Sequence, residues 1–391
     1  MQEGIELESS ANEKTTNPNG TDHLARERQT PRHSRSDRLS LLSITKANDS
    51  PAFFEQSTDN FYAKINSLLL PSRSPNLVVQ DNKVISLQQI LDGVLLVLAS
   101  EDIPVENISI SLTDLNSEKC CNYSGFQDKQ KRYPASLVKL FWAFMLKDLQ
   151  DSSSLHNNSE SLMNITIEDE RKMLYESDNN SASKILDAIS GTTSSKTPLS
   201  ESEFLNWAKK RMSVNEYFYK EGYSDVNVTQ KTFPIPSLEI YEPIGPDLQF
   251  REVLIDAQEP PQRNYLTSFD VSKLLLNLSE GTIISQEVSS QIKQNLLQDH
   301  TSVEIRSNPY NPIVGFFGER LPEDARVFTK IGFTESDGRQ EAAIIESHDQ
   351  QTRFILVVFA NDPIFSQKDS AALPLIAEFV YSQMNLRSMT N

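Results

Sequence analysis

Two residues whose types and spacing could do chemistry stand inside an otherwise apolar segment. They are Ser136 and Lys139, in Tyr133-Pro134-Ala135-Ser136-Leu137-Val138-Lys139-Leu140-Phe141-Trp142-Ala143-Phe144. On a helix, residues three apart share one face, and Pro134 suits the first turn, where its missing N–H is not needed. Burying an ammonium group is costly unless it is paired or neutral. The spacing therefore predicts a lysine held in apolar surroundings beside a serine hydroxyl, a base beside a nucleophile. The Ser-x-x-Lys spacing occurs four times, at Ser43/Lys46, Ser136/Lys139, Ser181/Lys184 and Ser290/Lys293. Only the pair at Ser136 lies in a helix apolar enough to bury its lysine.

The elements that must position this pair follow from periodicity. Residues 85–99 predict a well-buried helix. Residues 107–114 alternate as a half-buried strand should, and 119–125 predict a second strand, the two forming a hairpin. The helix of Ser136 follows. Helices are predicted over 168–175 and 182–189, separated by Glu176-Ser177-Asp178-Asn179-Asn180, with Gly191 as a stop. Residues 192–262 form a long, mainly polar connection with one helix near 203–212; a connection of that length is functional or disordered. Residues 271–278 and 288–297 return to helix. Strands are predicted at 326–333, 340–346 and 353–360, and a helix closes the chain near 371–383. This is an α+β plan, an antiparallel five-stranded sheet flanked by helices with a large helical insertion between strands 2 and 3.

Residues 1–50 are polar and read as a disordered tail. Residues 51–80 read as an accessory helix and linker, with the compact domain at 81–388. The chain has 391 residues and 38% hydrophobic residues, enough for a sizeable core. A formal net charge of −17 argues against binding nucleic acid or anionic membranes. The two cysteines, Cys120 and Cys121, are adjacent and give no disulfide framework. No apolar run is long enough to span a membrane. The basic stretch at 24–38 is followed by an apolar run too short and serine-broken for a convincing signal peptide. His23, His33, His156, His300 and His348 show no metal-ligand spacing, and no cofactor is expected. No Gly-x-Ser-x-Gly elbow and no phosphate-binding glycine loop occur.

Downstream of Ser136-x-x-Lys139 come Ser177-Asp178-Asn179 and then Lys330-Ile331-Gly332. Motifs in that order resemble the signature of class A β-lactamases and the related penicillin-binding proteins. The stretch from Met173 to Leu186 and the turn Leu115-Asn116-Ser117-Glu118-Lys119 are also similar to that family, and the resemblance covers roughly residues 85–385. It implies a serine hydrolase of the class A β-lactamase type, acting on a β-lactam or related amide through an acyl-enzyme on Ser136. A D-alanyl-D-alanine peptidase-like enzyme, or a catalytically weakened binding protein on the same fold, is the alternative. The implied partner is a small-molecule or peptidoglycan-peptide substrate, handled by a monomer in the periplasm or outside the cell.

Roles follow from the same resemblance. Lys139 takes the proton of Ser136, and Ser177 relays a proton to the leaving nitrogen. Asn179 orients Lys139 and binds the substrate amide. Lys330 supplies positive charge, and Gly332 lets substrate approach the strand closely. The N–H groups of Ser136 and Phe333 form the oxyanion hole. Two departures stand out. Ile331 replaces the motif hydroxyl that binds the substrate carboxylate, leaving Arg339 to compensate. Arg263-Asn264-Tyr265-Leu266-Thr267-Ser268 resembles the end of the loop that carries the deacylating glutamate. Its Glu-x-x-Leu-Asn segment is absent, with Glu252 or Glu259 as the available carboxylates.

Overall fold

A computed structural model describes residues 84–116, 122–151, 159–252, 263–282, 285–307, 311–367 and 370–390. The tail, the accessory helix and linker, both cysteines, His23, His33, His156 and Glu259 lie outside the described residues. Six strands form one antiparallel sheet: β1 Ile108–Asp114, β2 Asn122–Phe126, β3 Leu297–Gln298, β4 Arg326–Thr334, β5 Gly338–Glu346 and β6 Arg353–Ala360, in the order β2-β1-β6-β5-β4-β3. The five long strands are those expected. The sixth, β3, is a two-residue edge piece pairing Leu297 with Phe328 and Gln298 with Val327. Among the described residues, no strand covers the edge of β4 from Thr329 to Thr334, and the turn that carries Ser136 packs there instead.

The helices on one face of the sheet include α1 Leu87–Ser100 and α11 Ala372–Thr390. They cover Ile110, Leu112, Val327, Ala343, Ile345, Leu356 and Val358. The other face carries the helical insertion: α2 Val138–Asp151, α3 Ser159–Met163, α4 Ile167–Leu174, α5 Asn179–Ser190, α6 Glu201–Lys220, α7 Gly245–Glu252, α8 Ser268–Glu280 and α9 Gln286–Leu296. The short α10, Val303–Ser307, follows β3 and reaches Gly318 O through Arg306 Nη2 at 3.4 Å. Every residue from Val138 to Leu146 is buried, so the first nine residues of α2 are enclosed on all sides at the centre of this layer.

One strand differs from its sequence pattern in a useful way. The alternation of β1 predicts a half-buried strand, yet all seven residues are buried. Ser109, Ser111 and Thr113 do not face water. Ser111 Oγ donates to Ser268 Oγ at 2.9 Å, Thr113 Oγ1 lies 2.9 Å from Ser272 Oγ, and Ser109 Oγ accepts from Arg132 Nε at 2.9 Å. The hydroxyls are satisfied chiefly by a hydroxyl-bearing stripe on α8, which a period-two pattern cannot distinguish from solvent.

Candidate active site

Ser136 sits in a 3-10 turn, Ala135–Leu137, immediately before α2. Pro134 caps the turn, and Ala135 has a left-handed φ of 45°. A non-glycine residue at positive φ holds strain that packing must offset. The offset comes from β4. A Cβ built on Gly332 would stand 2.8 Å from Pro134 O and 3.1 Å from Ala135 Cβ. The sequence suggested that Gly332 admits substrate; the structure shows the chain's own serine-bearing turn taking that space.

Lys139 is wholly buried on the first turn of α2. Its Nζ lies 3.0 Å from Ser136 Oγ and donates to Asn179 Oδ1 at 2.7 Å and to Ser177 O at 2.6 Å; Ser177 Oγ is at 3.3 Å. Asn179 Oδ1 and the Ser177 carbonyl can only accept, so they take two N–H groups. As a neutral amine, Lys139 therefore has its lone pair left for the Ser136 proton. Burial, joined by the charge of Lys330, holds the Lys139 pKa well below the ordinary lysine value, against a smaller pull from Asp178.

Ser177 carries a left-handed φ of 58°, and both its carbonyl and its hydroxyl come within reach of Lys139. The next residue, Asp178, caps α5 by accepting from Ser181 N at 2.7 Å, which places Asn179 on the first helical turn. Lys330, on β4, donates to Ser177 Oγ at 2.8 Å and to Ile331 O at 3.0 Å. Burial, partly opposed by Glu341, lowers its pKa to about 7. Ser177 Oγ is thus the bridge between two buried lysines.

Five sequence-selected residues, Ser136, Lys139, Ser177, Asn179 and Lys330, converge in one hydrogen-bonded cluster, with Gly332 packed beneath. Arg339 and Ile331 do not join it. Strand alternation puts Lys330 on the helical-insertion face, and Ile331 and Arg339 on the opposite one. Arg339 is buried, with its guanidinium 4.9 Å from the Phe316 ring and 5.0 Å from the Phe333 ring. Its Nη2 donates to Gln367 O at 3.0 Å, whereas its Nε has no partner. Phe333, at the top of β4, is 41% exposed and forms an open wall.

The loop between Lys231 and Arg263 approaches this cluster through a residue that sequence reasoning missed. Thr232 Oγ1 donates to Asn179 Oδ1 at 2.8 Å. Phe233 and Pro234, joined by a cis peptide bond, follow it. The loop's neck is closed by Asn264, which donates to Gln230 O at 2.7 Å and accepts from Gln230 N at 2.9 Å. Arg263 makes a two-pronged pair with Asp337 at 2.8 and 3.0 Å and covers the Tyr133 ring at 3.7 Å. Nothing in a single sequence marks a threonine as the loop's point of contact. Glu252 closes α7 in an exposed position. A cavity of about 550 Å³ follows the Asn180, Ser183, Lys184 and Asp187 side of α5, and none of the five converging residues lines it. No group of metal-ligating side chains occurs among the described residues.

The fold and this cluster define a class of protein, an α+β fold with a serine–lysine cluster at the junction of sheet and helical layer. Comparison with known proteins gives the family. A model of the beta-lactamase enzyme family matches residues 95–384, and the chain belongs to that family. Among solved structures, it is similar to a beta-lactamase from Chitinophaga pinensis DSM 2588, with a TM-score of 0.50 and 14% identity over 76% of this chain and 98% of that one. It also matches a class A beta-lactamase from Bacteroides cellulosilyticus DSM 14838 (TM-score 0.48, 13% identity, 76% and 98% covered). A third match is a mutant of PBP-A in an acyl-enzyme complex with penicillin-G (TM-score 0.49, 13% identity, 78% and 98% covered). At these identities the likeness to the first of these concerns the fold alone. No curated protein matches the chain.

Proposed function

We propose that the protein is a serine hydrolase that opens a β-lactam or related amide by forming an acyl-enzyme on Ser136. The observation that carries this reading is Lys139, buried among uncharged acceptors and 3.0 Å from Ser136 Oγ. Lys139 takes the hydroxyl proton as Ser136 attacks the carbonyl, and the N–H groups of Ser136 and Phe333 receive the oxyanion. Ser177 Oγ, bridging Lys139 and Lys330, hands a proton to the leaving nitrogen. The Asn179 Nδ2 group binds the substrate amide while its Oδ1 holds Lys139. Lys330 supplies positive charge near the substrate carboxylate. Arg339, buried with an unpartnered Nε, receives that carboxylate where Ile331 offers no hydroxyl. A fluorescent penicillin should label the wild-type protein and leave Ser136→Ala unlabelled; a wild-type protein that is never labelled would sink the proposal.

A second reading, a peptidase-like enzyme with a long-lived acyl-enzyme, is favoured by one observation. The loop meets Asn179 through the Thr232 hydroxyl, and among the described residues no carboxylate is hydrogen-bonded to Ser136, Lys139 or Asn179, where a deacylating water would need a base. The lifetime of the label decides between the two. Rapid release with turnover of a chromogenic cephalosporin indicates a lactamase, whereas lasting attachment to Ser136 indicates the slow enzyme.

A further inference from the structure

A carboxylate that takes no part in the chemistry above is buried beside the Arg339 corner. Glu341 is on β5, directly opposite Ile331 of β4, and is wholly inaccessible. Two residues away on either side of this pair, on the same face of the sheet, stand Thr329 and Phe333 of β4 and Arg339 and Ala343 of β5. Glu341 Oε1 accepts from Thr329 Oγ1 at 2.8 Å, and its Oε2 accepts from the backbone N–H of Phe317 at 2.6 Å. A buried acid in an apolar layer is costly, and two donors are what its oxygens need.

We infer that Glu341 is a positioning residue for Arg339: it fastens the turn at residues 313–319 to the sheet and so sets the wall that holds the guanidinium. Each link is a contact. Phe317 N is bound by Glu341, and Phe316, the residue before it, lies under Arg339. Gly315 presses so closely that a Cβ there would stand 2.8 Å from Arg339 Cζ, with a φ of 79° that also favours glycine. The turn is held within itself by Phe316 N to Ile313 O at 3.0 Å and by Glu319, which takes the Gly315 N–H. Among the described residues, Glu341 is the only side chain reaching from the sheet to a backbone N–H of this turn. With both of its oxygens occupied, it fixes the wall without capturing the arginine in an ion pair. Arg339 is left buried, held through one N–H to Gln367 O, with its Nε unpartnered and enclosed against Gly315.

The inference rests on the reading of Arg339 as the carboxylate receptor, and the test separates the two. Second-order acylation is measured with a penicillin and with its methyl ester, in wild type, Arg339→Ala, Glu341→Gln and the double variant. Glutamine keeps the volume but cannot accept both donors. Glu341→Gln should lower acylation by the free acid about five-fold, the effect of one hydrogen bond, and leave the ester unchanged. It should add nothing once Arg339 is gone, because the two residues act in one chain of contacts. Arg339→Ala leaving the acid-to-ester ratio unchanged would overturn the receptor reading. A ratio that moves with Arg339→Ala but not with Glu341→Gln would overturn the inference about Glu341. If Glu341→Gln fails to fold, Thr329→Val frees one of the two clasps and must shift the ratio the same way; an unmoved ratio there would equally overturn it.

Discussion

Helix α5 has a buried lysine at each of two places along its length, and the two are used in opposite ways. At its start, Asn179 holds Lys139; two turns on, Asp187 holds Lys231. Both lysines are almost completely removed from water. Lys231 lies 2.6 Å from Asp187, and Arg211 joins the same carboxylate at 2.9 Å while reaching Asp247 at 3.0 Å. Lys139 has no carboxylate partner among the described residues, only a carbonyl, an amide oxygen and two hydroxyls. Burial lowers the pKa of both, but at Lys231 the charge of Asp187 pushes back, whereas at Lys139 the next-largest influence, Lys330, pushes the same way. A carboxylate partner turns a buried lysine into structure. Neutral acceptors leave it available as a base.

The largest expected effect tests the chemical side of this contrast. Lys139→Met should cut acylation by at least about a thousandfold, the loss expected on removing a general base. Its effect on stability should stay within about 1 kcal/mol, since methionine fills the same space and leaves no charge unpaired. A large loss of stability in Lys139→Met would show that this lysine is structural too. The structural side comes next. Lys231→Met strands part of a buried network and should cost roughly 2–3 kcal/mol, below the ~3–5 kcal/mol of a fully broken buried pair because Arg211 remains with Asp187. Denaturant unfolding of the two variants side by side measures the difference directly.

Much of the chemical lysine was legible in the sequence, and almost none of the structural one. Ser136 and Lys139 could be read from their spacing on one helix, and Ser177, Asn179 and Lys330 from the resemblance of their short motifs to those of a known family. The strand and helix order was legible from periodicity. The Lys231–Asp187–Arg211–Asp247 network was not: its members are 16 to 60 residues apart, and each looks like a solvated charge until the fold buries it. The hydroxyl stripe of β1 was hidden for the same reason, since Ser109, Ser111 and Thr113 look polar whether they face water or the protein interior. Arg339 was read as a carboxylate receptor, but its burial between two phenylalanine rings depends on a turn that only the fold brings alongside.

A third prediction uses pH. Lys330 keeps its proton in the unfolded chain up to the ordinary lysine value of 10.5 but loses it at about 7 in the fold. Between those values the unfolded chain binds more protons, so stability should rise with pH across about 7 to 10.5. Lys330→Met should flatten that rise, measured as urea midpoints at its two ends. An unchanged slope in the variant would assign the rise to Lys139 instead. Acylation should move the other way, because Lys330 discharges as pH passes 7 and its attraction for a substrate carboxylate goes with the proton.

The smallest expected effect joins the two regions. Lys231 is fastened to Asp187, and the very next residue, Thr232, donates to Asn179 Oδ1, the atom that also receives Lys139. The structural lysine thus anchors the loop whose following hydroxyl steadies the chemical one. Thr232→Val keeps the shape of the side chain and removes that donor, leaving Asn179 to be positioned by Lys139 alone. One hydrogen bond of about 1 kcal/mol corresponds to a roughly five-fold loss in acylation. The loss should be seen with substrates whose acyl side chain carries an amide and be absent with those that lack one, because the proposed function gives Asn179 the substrate amide to bind. If folded Lys231→Met shows the same substrate-dependent loss, the anchor acts through Thr232. If Thr232→Val shows it and Lys231→Met does not, the two lysines are independent, and the loop is held in place by its neck at Asn264.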